Sequence, residues 1–191
     1  MKKICVYCGS SSGNNQVYLE AATSLGKELA SQNIELIYGG ANVGLMGTIA
    51  DAVLANNGKV TGIMPRTILD KREIAHKGLT ELIAVNSMHE RKQIMSDRAD
   101  GFIAMPGGFG TLDEVFEILT WLQIGVHTKP VGFYNINTYY DKLMDFVSHT
   151  VQEGFVRKNH QDMIFLDSNP CNLINSMKTF DGLNVSKWKH K

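Results

Sequence analysis

The stretch Met105-Pro106-Gly107-Gly108-Phe109-Gly110-Thr111-Leu112-Asp113-Glu114 decides how the rest of this chain is read. Just before it, Gly101-Phe102-Ile103-Ala104-Met105 is a short apolar run and predicts a buried strand. Pro106 stops that strand, because proline has no N–H to give a ladder. The glycines that follow permit a tight turn and close approach of a ligand. From Leu112 the apolar residues Val115, Phe116, Leu119 and Leu122 recur at helical spacing. The order is strand, glycine bend, helix N-terminus. Free N–H groups and the helix dipole suit such a junction to anions, phosphate above all. A purely structural alternative stands beside it. Thr111-x-x-Glu114 fits a capping box, and the glycines would then only turn the chain.

The same pattern recurs outward from this stretch. Ile4–Cys8 reads as a first strand, followed by the polar loop Gly9-Ser10-Ser11-Ser12-Gly13 and a helix presenting Tyr18, Ala22, Leu25 and Leu29. Ile34–Tyr38 reads as a second strand. A glycine loop, Gly39 to Gly47, leads from it to a helix through Ile49, Ala50 and Val53. This loop is neither a P-loop nor G-x-G-x-x-G. Val60–Met64 is a third strand, expected to halt at Pro65. Residues 66–78 are charged and irregular, a surface loop or short helix near a site mouth. Glu81–Val85 is a fourth strand, and 87–97 a helix carrying His89, Glu90, Arg91 and Lys92. After the opening motif come a strand at Pro130–Tyr134, a helix with Tyr139, Leu143, Phe146, Val147 and Val151, a short strand at Ile164–Leu166 and a helix near Pro170.

Strands alternating with helices predict an α/β protein: a three-layer, Rossmann-like, doubly wound, mainly parallel sheet with helices on both faces. One nucleotide-binding domain is expected over 1–180, with 181–191 a basic, mobile tail. In such sheets ligands bind beyond the carboxyl ends of the strands. The loops at 9–13, 39–47 and 106–111 should therefore face one crevice, which marks Ser10, Gly39, Gly40 and Gly107 as candidate binding positions.

At 191 residues, 43% hydrophobic and 20% charged, the chain suits one soluble globular domain. Its formal net charge of zero argues against a broad nucleic-acid surface. Met1-Lys2-Lys3 leads into only a short apolar run, so neither a secretory signal nor a membrane span is expected. Three cysteines suggest a reducing, cytoplasmic setting. Cys5-x-x-Cys8 straddles a strand end rather than a helix start, which favours small buried side chains over a redox or metal role.

No Ser is set in a G-x-S-x-G context, and the six histidines lack paired ligand spacing. His89 reads as a helix-surface residue or one that supports the site from behind, rather than as a metal ligand. Arg91, Lys92 and Glu114 remain. Arginine clamps phosphate or carboxylate bidentately and lysine supplies a point charge, although a solvated helix face is the alternative for both. Phosphate would repel Glu114, so its place is at the sugar. There a carboxylate can stabilise an oxocarbenium-like state and orient water. Such glycoside hydrolysis needs no metal and no other cofactor, and none is expected.

With these residues in hand, the chain resembles the Lonely Guy family of cytokinin-activating phosphoribohydrolases. The motif P-G-G-x-G-T-x-x-E is met by Pro106 to Glu114, and Met88-His89-Glu90-Arg91-Lys92 resembles the family's M-H-x-R-K. Tyr38-Gly39-Gly40 through Gly47, and Trp121-Leu122-Gln123-Ile124-Gly125 through Gly132, are also similar, so the likeness spans about residues 3–167. It implies a Rossmann-like homodimer that hydrolyses N6-substituted adenosine 5′-monophosphates to free base and ribose 5-phosphate. It implies Arg91 and Glu114 as the catalytic pair. Lys92, Gly108, Phe109, Gly110, Thr111, Leu112, Asp113 and Thr120 would bind substrate, with Glu73 at the same site. Phe109 and Asp113 stand where plant members often have Tyr and Glu, which leaves base preference open. Relatives have been labelled lysine decarboxylases, but no residue here suggests a pyridoxal phosphate lysine. The alternatives are a general AMP or purine-monophosphate nucleosidase and a nucleotide-binding module without catalysis.

Overall fold

A computed structural model describes residues 1–69 and 74–182. In chain order its elements are β1 (Lys3–Tyr7), α1 (Val17–Ser31), β2 (Glu35–Tyr38), α2 (Gly44–Ala55), β3 (Val60–Pro65), α3 (Arg66–Leu69), β4 (Glu81–Val85) and α4 (Met88–Arg98). There follow β5 (Gly101–Ala104), α5 (Phe109–Ile124), β6 (Val131–Tyr134), a 3-10 turn (Ile136–Thr138), α6 (Asp141–Gln152), α7 (Lys158–Gln161), β7 (Ile164–Asp167) and α8 (Pro170–Lys178). The seven strands make one parallel sheet in the order β4-β3-β2-β1-β5-β6-β7.

Alternation along the strands divides their side chains between two cores. Ile4, Val6 and Cys8 pack with Leu25, Leu29, Ile49 and Val53 beneath α1 and α2. Cys5, Tyr7 and Phe102 pack with Met95, Val115, Ile118 and Leu122 beneath α4 and α5. Each fully buried aliphatic side chain contributes roughly 1.5–3 kcal/mol. The three-layer, doubly wound architecture read from the sequence is the one found. Cys5 and Cys8 face opposite layers and both are free, buried thiols, as the small-side-chain reading expects.

Strand order reverses at β1, which pairs with β2 on one side and β5 on the other. Chain leaving β1 and β5 diverges there and opens a crevice at the carboxyl edge. Three details differ from expectation. Pro65 does not halt β3 early but ends it, opposite Val85. The β2 ladder stops at Gly62, so no bond is asked of the proline on that side. Gly44 and Gly47 lie inside α2, which shortens the second loop to 39–43. Finally, α7, four residues long, is too short to leave a periodic signal, whereas α3 is the short helix expected within 66–78. Glu73 and the tail from 183 onward fall outside the described residues. Among the described residues no helix is long and apolar enough to cross a membrane.

Candidate active site

Helix α5 begins at Phe109 with Gly108 as its cap, and no side chain caps it. This corrects the capping-box alternative. Extended backbone at Gly108 starts the helix early, so Thr111 sits buried in the first turn and Glu114 is carried into the second. A side-chain cap forms instead at α4, with the returning carboxylate bound one residue before the Ser87 cap. Ser87 Oγ accepts from Glu90 N at 3.1 Å, and Glu90 Oε2 accepts from Asn86 N at 2.7 Å.

The bend between β5 and α5 has every carbonyl engaged. Met105 O accepts from the Tyr140 hydroxyl at 2.6 Å, Pro106 O from Gly9 N at 3.0 Å, Gly107 O from the Tyr139 hydroxyl at 2.6 Å, and Gly108 O from Leu112 N at 3.1 Å. Met105 N donates to Tyr7 O at 2.9 Å and Pro106 has no N–H, but the amides beyond them are the reverse. The N–H groups of Gly107 and Gly108 meet no acceptor among the described residues. Those of Phe109, Gly110 and Thr111 open the helix, where no carbonyl four residues back belongs to it. A Cβ on Gly107 would fall 2.2 Å from Thr111 Oγ1, whereas on Gly108 or Gly110 it would meet nothing within 4 Å. The bend is thus packed beneath and bare above, a surface of unpaired donors at a helix N-terminus.

Beside it lies an ion pair, Arg91 buried and Glu114 part-buried. Arg91 is 9% exposed. Its Nε donates to Ile63 O at 3.0 Å and one terminal nitrogen donates to Glu114 Oε1 at 2.5 Å. The other terminal nitrogen occupies the space a side chain on Gly39 would need, 2.4 Å from an added Cβ. Burial raises the Glu114 carboxyl above its ordinary pKa of 4.5, and the Arg91 charge opposes without cancelling it. Lys92 turns toward α5, 3.3 Å from Asp113 Oδ2 and 3.1 Å from Glu117 Oε2. Burial works against its charge, but these two carboxylates outweigh it and hold Lys92 above its ordinary value.

Two lobes make up the crevice. One, about 330 Å³, is walled by Cys8, Met46, Met88, Arg91, Thr111 and Glu114. The other, about 340 Å³, is walled by Ser11, Ser12, Gly13, Tyr18, Gly107 and Tyr139. Gly9, Ser10 and Gly108 border both. Phe109, 94% exposed, and Asp113 stand at the rim of the first.

The structure brings Ser10, Arg91, Gly107 to Thr111, Asp113 and Glu114 together at this crevice. It places four other candidates differently. Gly39 makes room for Arg91, and Gly40 pairs its carbonyl with His76 N. Leu112 packs into the core with α4 and α5. Thr120 lies further along α5, its hydroxyl on Phe116 O at 2.7 Å, and borders a separate groove between α5 and α6. His89 is exposed. Sequence reading missed Tyr139 and Tyr140, whose role shows only in which carbonyls they reach. The tandem tyrosines just before a helix were the one available signal.

A parallel sheet with donors and a cation–carboxylate pair at its switch point marks an α/β protein equipped to handle a phosphorylated ligand. The family model described as "Possible lysine decarboxylase" matches residues 46–177. Arabidopsis thaliana cytokinin riboside 5′-monophosphate phosphoribohydrolase LOG5 is 43% identical over 98% of this chain and 84% of its own length. LOG2 of the same plant is 45% identical over 94% and 84%. The molybdenum cofactor binding protein of Rippkaea orientalis shares the fold, at 25% identity and TM-score 0.70 over 93% of this chain and 96% of that one. The chain therefore belongs to the Lonely Guy family of phosphoribohydrolases, whose family model carries the decarboxylase label.

Proposed function

We propose that this protein hydrolyses the N-glycosidic bond of N6-substituted adenosine 5′-monophosphates, releasing free base and ribose 5-phosphate. The observation that carries the reading is the bend whose carbonyls are all engaged and whose Gly107 and Gly108 amides are open, one helical turn before the part-buried Glu114 carboxylate. In it the bend's amides hold the phosphate and the ribose lies toward Glu114. As the C1′–N9 bond breaks, its electron pair leaves with the base and positive charge grows on the sugar. Glu114 faces that charge and takes a proton from the attacking water, whose oxygen bonds to C1′. The departing base gains a proton at nitrogen. A carboxylate whose pKa is raised by burial is the better base for this step. Arg91 keeps the carboxylate ionised and aimed.

The same reading takes the active form as a cytoplasmic homodimer, with residues 1–180 as its domain. The dimer draws on the apolar groove between α5 and α6, where Phe116 and Phe146 are exposed beside Thr120. Thr120 touches substrate on this view only from the partner's side.

Isopentenyladenosine monophosphate and AMP, incubated separately with pure protein, should both be followed for base release. A folded sample that frees no base from either sinks the proposal. Glu114→Gln should abolish turnover, while ribose 5-phosphate still raises its melting temperature by mass action. Unchanged output in that variant would favour a binding module. A second reading, a general purine-monophosphate nucleosidase, draws on the open rim at Phe109. Comparable turnover of AMP and the prenylated substrate would favour it.

A further inference from the structure

The geometry points to Tyr139 as a positioning residue that aims the bend's amides at the phosphate, an inference that rests on the reading above. Its hydroxyl donates to Gly107 O at 2.6 Å. A trans peptide is planar, so fixing the carbonyl of Gly107 also fixes the opposed N–H of Gly108. That N–H is one of those without an acceptor among the described residues, and Gly108 borders both lobes of the crevice. Without an anchor, a peptide between two glycines can rotate as a unit at little cost, since both flanking residues tolerate wide dihedral ranges. Tyr139 therefore removes the freedom that the glycines introduce.

The ring that carries this hydroxyl is itself held. Tyr18 meets it edge-on at 5.9 Å and Tyr140 at 5.0 Å, with interplanar angles of 81° and 90°. Tyr140 in turn packs edge-on against Phe133 of β6 at 4.9 Å. Tyr18 also lies 2.9 Å from where a Cβ on Gly13 would sit, so it closes on the loop after β1. The two loops that bound the crevice are thus referred to one aromatic row. Tyr139 and Tyr140 divide the labour. Tyr140, 1% exposed, holds Met105 O inside the core, while Tyr139, 42% exposed, stands at the crevice wall and holds the residue next to the ligand.

The test is Tyr139→Phe, which keeps the ring and loses the hydroxyl. Tyr139 is partly exposed, so the variant is expected to melt within a few degrees of wild type. KM for the monophosphate substrate should rise about tenfold, the worth of one well-placed hydrogen bond to a charged group, with kcat within about twofold. The inhibition constant of ribose 5-phosphate should rise by the same factor, and that of adenosine, which has no phosphate, should not move. Tyr18→Ala should raise KM in the same direction, and combining it with Tyr139→Phe should add little. An unchanged KM, or equal weakening of ribose 5-phosphate and adenosine, overturns the assignment. Wild-type protein that releases no base sinks the proposed function instead, and the two failures are told apart in one set of assays.

Discussion

Arg91 can carry charge at 9% exposure because Ile63 O and Glu114 receive its donors and Gly39 leaves it room. Gly39→Ala should push the guanidinium aside and cost about a hundredfold in kcat/KM, with a small change in melting temperature, since misplacement on the scale of 1 Å is enough. Glu114 supplies a pH test. Its raised carboxyl binds a proton more readily folded than unfolded. Stability from it is thus present below the ordinary 4.5 and is lost as pH rises through the raised value. Wild type should therefore lose stability relative to Glu114→Gln over the interval upward from 4.5. The acid limb of kcat/KM should have its midpoint above 4.5, and a limb at or below it would contradict an ionised Glu114 in this setting. Sequence made Arg91 a candidate but left a solvated face as an equal alternative. The reason is physical: α4 reads MHERKQIMSDR, without an apolar stripe, so its packing against the sheet, β3 foremost, decides which face is inside.

Among the elements, the five inner strands are buried and announce themselves as apolar runs, and the more exposed edge strands β4 and β7 were legible too. The start of α5 was not. Thr111 has the chemistry of a cap, but the cap falls at Gly108, where an extended backbone and open space decide the matter. Gly107 and Gly110 should accordingly respond in different ways. Gly107→Ala drives a methyl into Thr111 and Gly9 and should cost about 1–3 kcal/mol in chemical denaturation. Gly110→Ala meets no protein atom and should hold or raise stability by up to about 1 kcal/mol. It should still raise KM about tenfold by filling space over the amides. Equal effects of the two on stability would mean that the bare upper surface of the bend has been misjudged.

At the scale of the whole molecule, the homodimer reading predicts a mass twice the 21.2 kDa of the chain in light scattering. Phe146→Asp, at an exposed position of the α5–α6 groove, should yield monomers and depress turnover together. Monomeric protein of full activity would remove Thr120 from the site. The crevice also has a place in the order of folding. Its two walls leave strands that are neighbours in space and distant in sequence, with Ile4 against Gly101 and Tyr7 against Ala104. A nascent chain must therefore extend through β5 before the two walls of the crevice can meet. Such long loop closure is slow relative to local helix formation. In refolding experiments, protection by AMP should emerge with the last kinetic phase, after most helical signal has returned. The reactive end of this protein is thus a late checkpoint on its own biogenesis.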